Sequence, residues 1–390
     1  MSGAASLTLP RATLPRLDCG ALTIVLPNGR QILLEGRTEG PSGTVTLHRW
    51  RSLRRVALGG DVAFAESYMD GDWSSPDLTG LLETMALNQS TLPGAEGGPF
   101  LSRLLNRLRH LARANTLAGS RRNIVQHYDL GNEFYARWLD RGMSYSSALF
   151  ETPGLDLESA QAAKQDRVMQ LLDVRRGQSA LEIGIGWGGI AERLAGAKAL
   201  VTGVTLSPSQ LSYAKDRLAG KGLPADLRLQ DYREIAGCFD RIVSIEMLEA
   251  VGEAWWPVYF EKLRSLLAPD GTIVLQTITI ADERFAAYRR TADFIQRHIF
   301  PGGMLPSPSA LRAEIARAGL VVDSVETFGA SYGRTLELWR ERFDQAWAEI
   351  AAMGFSPRFK RMWDYYLAYC EAGFRAGAVD VGLWRLRAAS

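Results

Sequence analysis

The stretch that decides the fold is LEIGIGWGG, residues 181–189. An apolar strand, predicted from Ser179 to Ile183, runs into a glycine-rich turn, and a helix is predicted to begin near Gly189. Glycines without a Cβ allow a tight turn and let the backbone approach a ligand closely. A second apolar strand follows at residues 199–204, which is the spacing of a nucleotide-binding βαβ unit. The pattern therefore predicts a Rossmann-like α/β domain.

The loops that follow this turn favour S-adenosylmethionine (SAM) as the ligand. A dinucleotide site usually has an acidic residue after the second strand, but this chain reads GVTLS at 203–207. The Lys-Ser/Thr pair of a phosphate-binding loop is also missing from the turn. An acidic residue, Asp231, follows the third strand instead, within LRLQDYR at 227–233. The alternative is an ordinary turn in an α/β domain that binds no nucleoside.

The length and composition are typical of a globular protein. A chain of 390 residues suggests two domains, and 46% hydrophobic with 23% charged residues is typical of globular proteins. The net charge of +2 gives no reason to expect a nucleic-acid partner. Cys19, Cys238 and Cys370 have no metal-ligand spacing, so we predict reduced thiols in a cytosolic protein and no metal site. We find neither a signal peptide nor a membrane-spanning segment, so any membrane contact is expected to be peripheral.

The chain is predicted to divide into three parts. Residues 1–95 form a small α+β domain, in which Asn28-Gly29 marks a hairpin and residues 77–87 a helix. Residues 96–122 form a linker with a basic amphipathic helix, since leucines recur at helical spacing from Leu101 to Leu111 among arginines. Such a helix suits an anionic membrane surface. Packing against a neighbouring domain explains it equally well, and the N-terminal domain is either a scaffold or a lipid-binding module.

Residues 123–390 are predicted to form the catalytic domain. Strand-like and helix-like segments alternate after the glycine turn, which predicts a doubly wound, mostly parallel sheet. Ligands of such sheets bind beyond the carboxyl ends of the strands. Residues 285–308 interrupt the alternation with aromatic and apolar residues, and we interpret them as an inserted lid or a capping subdomain. Residues 335–386 are expected to be mostly helical.

Several motifs, taken together in their order, resemble the cyclopropane-fatty-acyl-phospholipid synthase family of class I SAM-dependent methyltransferases. The resemblance is strong over residues 123–390 and extends to the N-terminal domain. The motifs that carry it are GDVAFAESYMDGDW (60–73), HYDLGNEFY (127–135), YSSALFE (145–151), LEIGIGWGG (181–189), GVTLS (203–207), SIEMLEAVG (244–252), FIQRHIFPGGMLPS (294–307), FGASYGRTLELW (328–339) and YYLAYCEAGFRAG (365–377).

The resemblance implies methyl transfer from SAM to the cis double bond of an unsaturated fatty acyl chain in a membrane phospholipid. The transfer leaves a carbocation in the chain, so the site must be dry and apolar, and aromatic faces can stabilise the charge. A base must then remove a proton. Loss of that proton from the new methyl closes a cyclopropane ring, whereas loss from a chain carbon gives a methyl-branched alkene.

In this family the base is a bound bicarbonate ion, which the resemblance assigns to Ser147, Glu249, Gln276, Ile278 and Tyr332. The chain departs from the ring-forming members at two of these positions. Ser147 stands where they carry Cys, and Gln276 stands where they carry His. The second change replaces an imidazole by an amide, so ring closure is in question and a methyl-branched product is a full alternative to a cyclopropane.

The resemblance also implies the SAM-binding residues. Tyr145 and Ser146 are expected at the methionine end, and Gly184 and Gly186 at the point of closest backbone approach. The residues expected around adenosine and on the pocket floor are Thr205, Leu206, Gln210, Tyr232, Arg233 and Ile245.

Two other functions are consistent with parts of the sequence. One is methylation of a small amine or another soluble metabolite, for which neither lid nor amphipathic helix is needed. The other is a lipid-binding protein without activity, against which the intact glycine turn and Glu249 argue. The predicted location is cytoplasmic and peripheral to the inner membrane, on the acyl chains of phospholipids, and a homodimer is left open.

Overall fold

The computed structural model describes residues 16–89, Thr91 and residues 130–389. The predicted basic helix of the linker and the start of the 127–135 motif lie outside these residues. Within the described part of the chain, every helix is too short or too polar to cross a bilayer.

The N-terminal layer is a three-stranded antiparallel sheet with two helices. Strands β1 (Leu17–Val25) and β2 (Gln31–Leu47) form the predicted hairpin, and β3 (Trp73–Ser74) pairs with the end of β2. The turn requires Gly29, whose φ is +80°. Helix α1 (Arg51–Met69) is kinked at Gly60, and helix α2 (Leu78–Leu87), which lies where the sequence predicts a helix, is capped by Asp77.

A seven-stranded sheet forms the centre of the larger part, in the order β6-β5-β4-β7-β8-β10-β9. The first five strands in this order are parallel, and β10 is antiparallel to both of its neighbours. This confirms the predicted doubly wound, mostly parallel sheet. The strands are β4 (Ser179–Ile183), β5 (Leu200–Thr205), β6 (Asp226–Leu229), β7 (Phe239–Ile245), β8 (Leu267–Ile280), β9 (Leu320–Thr327) and β10 (Val379–Ala388).

Helices cover both faces of this sheet and build the C-terminal part of the chain. They are α3 (Asn132–Ala136), α4 (Leu157–Leu172), α5 (Gly189–Gly196), α6 (Pro208–Ala219), α7 (Leu248–Val251), α8 (Trp256–Leu266), α9 (Asp282–Tyr288), α10 (Pro308–Arg317), α11 (Gly329–Gln345), α12 (Trp347–Ala352) and α13 (Pro357–Arg375).

The structure adds detail to two sequence expectations. The C-terminal segment is helical only to Arg375, because residues 379–388 form β10 between β8 and β9. Four successive buried residues, 381–384, mark a strand that is covered on both faces. The interrupting segment at 285–308 contains the end of α9 and one π-helical turn, Ile295–Ile299, and Phe294 packs edge-on against Tyr365 of α13.

The N-terminal layer packs on α13, so the two parts share one core. Trp73 is fully buried and contacts the ring of Tyr365, with centroids 6.4 Å apart. The buried Thr79 hydroxyl donates to the Glu371 carboxylate at 3.0 Å. Burial of polar groups in pairs of this kind fixes the position of α2 against α13. The exact domain limits at residues 95 and 123 remain a prediction.

Candidate active site

The glycine turn after β4 needs glycine for its backbone shape and for space. Gly184 and Gly186 have φ values of +84° and +50°. The Gly184 N–H donates to the Val204 carbonyl at 3.0 Å, which ties the turn to β5. A Cβ on Gly184 would lie 3.2 Å from the Met247 side chain. The turn is therefore held close to the residues that follow β7.

All ten residues predicted to bind SAM line one cavity of about 180 Å³ at the carboxyl ends of the strands. The Ser207 hydroxyl accepts from the Gln210 N–H and so begins α6 beside this cavity. The Arg233 guanidinium is held by Asp231 at 2.7 Å and lies over the Trp255 ring. The close-approach glycines and the polar loops fit an adenosine with an amino-acid tail, which is what SAM carries. These residues are Tyr145, Ser146, Gly184, Gly186, Thr205, Leu206, Gln210, Tyr232, Arg233 and Ile245.

A second cavity, of about 1300 Å³, runs between the N-terminal layer and the sheet. This exceeds the range of about 300–1,000 Å³ that is usual for small-molecule pockets. Its walls are mostly aliphatic and aromatic, from Leu22 and Leu81 in the N-terminal layer to Phe300 and Tyr366 near the sheet. An elongated apolar ligand fits such a space.

The two cavities meet at three residues that line both, namely Tyr145, Glu246 and Ala250. Glu246 directly follows β7 and has a left-handed backbone, with φ of +49°. Its N–H donates to the Gln276 carbonyl of β8 at 2.7 Å, and this bond keeps the residue in that conformation. Non-glycine residues in this region are uncommon and cluster at functional sites.

Three donors from separate segments hold the Glu246 carboxylate. One oxygen accepts from the Ser147 N–H at 2.8 Å and from the Gln276 amide at 2.7 Å. The other accepts from the Tyr332 hydroxyl at 2.6 Å. Burial raises the pKa of Glu246, and the bonds from Tyr332 and Ser147 oppose that rise because they stabilise the ionised form.

Glu249 also lines the larger cavity, three residues beyond Glu246 in the chain. One of its oxygens accepts from the Ile278 N–H and from the Thr277 hydroxyl, and the other is buried and has no hydrogen-bond partner among the described residues. Burial, and then repulsion by Glu246, raises the pKa of Glu249 to about 8. At neutral pH we therefore assign the proton of the pair to Glu249 and the charge to Glu246.

The five positions predicted to hold bicarbonate do come together, but they surround a carboxylate of the chain. Ser147, Gln276 and Tyr332 donate to Glu246, while Ile278 donates to Glu249. Ser147 and Gln276 are fully buried behind the cavity wall. A further anion would compete with Glu246 for the same donors and lie against two carboxyl groups. Bicarbonate does not fit this arrangement.

Sequence reasoning missed two charged residues of the site. Glu246 lies inside the quoted SIEMLEAVG motif, and its place at the carboxyl end of a strand was a usable signal. Lys164 on α4 is buried and donates to the Ser146 hydroxyl at 2.6 Å. A lysine on an amphipathic helix ordinarily faces solvent, so the sequence offered no sign of its position.

The sheet order, the glycine turn after its first strand in the chain and the cavity beyond it define a class I SAM-dependent methyltransferase. The family model of mycolic acid cyclopropane synthetase matches residues 116–384. The chain belongs to this family. The match covers more than half of the chain and includes every predicted site residue.

Relatives with known names agree with this family. Tuberculostearic acid methyltransferase UfaA1 of Mycobacterium tuberculosis is 39% identical over 369 residues, which are 90% of this chain and 84% of the relative. Cyclopropane-fatty-acyl-phospholipid synthase of Escherichia coli is 37% identical over 337 residues, 85% of this chain and 84% of the relative. The crystal structure of mycolic acid cyclopropane synthase CmaA1 complexed with SAH and CTAB has a TM-score of 0.64 at 30% identity, covering 68% of this chain and 97% of that one. These relatives do not favour the alternative of a small amine substrate.

The raised pKa of Glu249 predicts a pH-dependent cost to stability. The folded protein keeps a proton on Glu249 up to a pH of about 8, whereas the unfolded chain releases it near 4.5. Stability from this group is therefore present below pH 4.5 and is lost as pH rises to about 8. Glu249→Gln keeps the acceptor for Ile278 without this loss. Relative to wild type, its free energy of unfolding should rise by up to about 1.4 kcal/mol per pH unit in that window. Denaturant unfolding at several pH values measures the difference, and parallel pH profiles would contradict the assignment.

Proposed function

We propose that the protein methylates the cis double bond of an unsaturated acyl chain in a membrane phospholipid, with SAM as the methyl donor. We further propose that the product is a methyl-branched chain that is still unsaturated. The observation that carries this proposal is the position of Glu246, a fixed carboxylate at the junction of the SAM cavity and the apolar cavity. A base at that junction can reach the carbon atoms next to the reacting double bond.

The apolar cavity supports the substrate class. Its walls join the N-terminal layer to the reaction site, so a long hydrocarbon tail can lie along it while its middle reaches Glu246. Burial of such a tail is favourable at about 25 cal/mol per Å². Relatives that are named for fatty-acyl-phospholipid and mycolic acid cyclopropanation give the same substrate class.

The chemistry can be assigned to residues of the chain. SAM would supply an electrophilic methyl group, whose bond to sulfur breaks so that S-adenosylhomocysteine leaves with the electron pair. The π electrons of the double bond form the new carbon–carbon bond, and the adjacent carbon becomes a cation. The Tyr145 ring, which lines both cavities, provides an aromatic face at this point. The Glu246 carboxylate takes a proton from the chain, and the electrons of that C–H bond restore a double bond.

The position of the base decides which proton leaves. Glu246 is attached to the end of β7, and Ser147, Gln276 and Tyr332 fix its carboxylate. This carboxylate therefore lies at a different point from a free bicarbonate ion bound by the same donors. We infer that it removes a proton from a chain carbon rather than from the new methyl. The 39% identical relative is named a methyltransferase of tuberculostearic acid and not a cyclopropane synthase, which supports this inference.

Product analysis tests the proposed outcome directly. The pure protein is incubated with SAM and phospholipid that carries monounsaturated chains, and the fatty esters are analysed by mass spectrometry before and after hydrogenation. We expect the modified chain to gain one CH₂ unit and then to take up hydrogen, because its double bond persists. A product of the same mass that resists mild hydrogenation would be a cyclopropane and would contradict the branched product.

Replacement of the base should separate binding from turnover. Glu246→Gln removes the proton acceptor with little change of shape, so turnover should fall by about 10²- to 10⁴-fold while SAM affinity stays within a few-fold of wild type. Tyr332→Phe removes one hydrogen bond to the carboxylate and should cause a smaller loss. Removal of dissolved carbonate from the buffer should leave the wild-type rate unchanged. A wild-type rate that depends on bicarbonate would overturn the role of Glu246.

We also propose that the outer half of α1 contacts the phospholipid surface. Trp50, Leu53 and Leu58 are 52%, 44% and 67% exposed, and with Arg54 they lie on one helical face. Leu53 also lines the mouth of the apolar cavity. Apolar side chains mixed with arginine suit the interface of an anionic bilayer. A lipid tail could then pass from the bilayer into the cavity without crossing water, which supports the proposed peripheral location at the inner membrane.

A charge on this face should weaken membrane binding. Leu58→Glu removes an aliphatic contact with the bilayer that contributes about 1.5–3 kcal/mol to binding, and it adds repulsion from anionic lipid. Binding should therefore fall at least about tenfold. Cosedimentation with vesicles of phosphatidylglycerol and phosphatidylethanolamine measures it. Leu200→Glu is the matched control, because Leu200 is also 67% exposed but lies at the start of β5. Equal binding by wild type and Leu58→Glu would exclude this surface.

A further inference from the structure

Lys164 places a buried positive charge on the wall of the SAM cavity. The residue lies on α4 and is 2% exposed. Its ammonium donates one hydrogen bond, to the Ser146 hydroxyl at 2.6 Å. An ammonium carries three N–H donors, so this bond leaves donor capacity on a group that faces the cavity.

No carboxylate of the described residues lies within ion-pair distance of this ammonium. Glu246, Asp140 and Glu182 act on it from farther away, and burial lowers the pKa of Lys164 to about 8. Arg233, the other cation on the cavity wall among the described residues, differs because Asp231 pairs with it at 2.7 Å. A buried charge without a close counter-ion is costly. The cavity is therefore prepared for an anionic group beside Lys164.

The position of Lys164 identifies the part of SAM that it faces. Its hydrogen-bond partner, Ser146, belongs to the segment expected at the methionine end of the cofactor, whereas Tyr232 and Arg233 are expected at the adenosine. The Glu182 carboxyl lines the same cavity, and one of its oxygens is buried without a partner among the described residues. The methionine moiety of SAM is a zwitterion with a carboxylate and an ammonium. The Lys164 ammonium and the unpartnered Glu182 oxygen match these two groups as a donor and an acceptor.

We propose that the Lys164 ammonium binds the carboxylate of the methionine moiety of SAM. The carboxylate of the cofactor thus provides the close counter-ion for Lys164 that the described residues of the protein do not provide. This inference rests on the proposed function only in taking SAM as the ligand of the smaller cavity. Because Lys164 also holds Ser146, the bound carboxylate would stiffen the segment whose next residue, Ser147, donates to Glu246. Cofactor binding and orientation of the base are coupled through one side chain.

Calorimetric titration with SAM and with decarboxylated SAM tests the contact. Decarboxylated SAM keeps the sulfonium and the ammonium but lacks the carboxylate. A hydrogen bond to a charged group contributes about 1.5–3 kcal/mol, so wild type should prefer SAM by about 10- to 100-fold. Lys164→Met should lose this preference by weakening SAM binding alone. Its ligand-free form should melt no lower than wild type, because a buried unpaired charge has been removed.

Gln161→Leu provides the matched control. Gln161 lies one turn before Lys164 and donates to the Ser146 carbonyl at 2.8 Å, so its loss disturbs the same segment without removing a charge. This variant should weaken both ligands equally. Equal weakening of both ligands in Lys164→Met would make Lys164 a support for the segment and overturn the proposal. Equal affinity of wild type for the two ligands would also overturn it. Failure of the wild type to bind SAM at all would instead contradict the assignment of SAM as the ligand of the smaller cavity.

Discussion

The site depends on one buried carboxylate that three distant segments must hold at once. Ser147 precedes the first strand of the central sheet, Gln276 lies in β8, and Tyr332 lies in α11. A charge inside the protein is tolerated only when such donors compensate its lost hydration. The three hydrogen bonds therefore join the loop over the cofactor, the sheet and the C-terminal helices at the point where the two cavities meet.

Local patterns in the sequence carried most of the fold and of the cofactor site. The glycine turn with flanking strands, the alternation after it and the Asn-Gly hairpin each depend on neighbouring residues, and the structure contains all three. Residues at the carboxyl ends of parallel strands must share one edge of the sheet. The family resemblance named the ten residues expected around SAM, and this rule explains why those that follow the strands meet at one edge.

Features that depend on long-range packing were not accessible in the same way. Glu246 and Glu249 stand in one motif, and only the left-handed backbone at Glu246 turns the first of them toward Ser147 and Tyr332. The residues of strand β10 were included in a segment predicted to be mostly helical. Its pairing with β8 and β9 joins segments far apart in the chain, so no local pattern indicated it.

Helix α13 has consequences for the independence of the two parts of the chain. One side of it packs on α11, and the other receives α1 and α2, so few of its residues are left to face water. Glu371, which is fully buried, shares its carboxylate between Thr79 of the N-terminal layer and Arg340 and Arg375. Without that layer, α13 would expose apolar side chains, and Glu371 would keep its two arginines but lose the hydrogen bond from Thr79. The layer thus completes the core of the methyltransferase part and forms one wall of the apolar cavity.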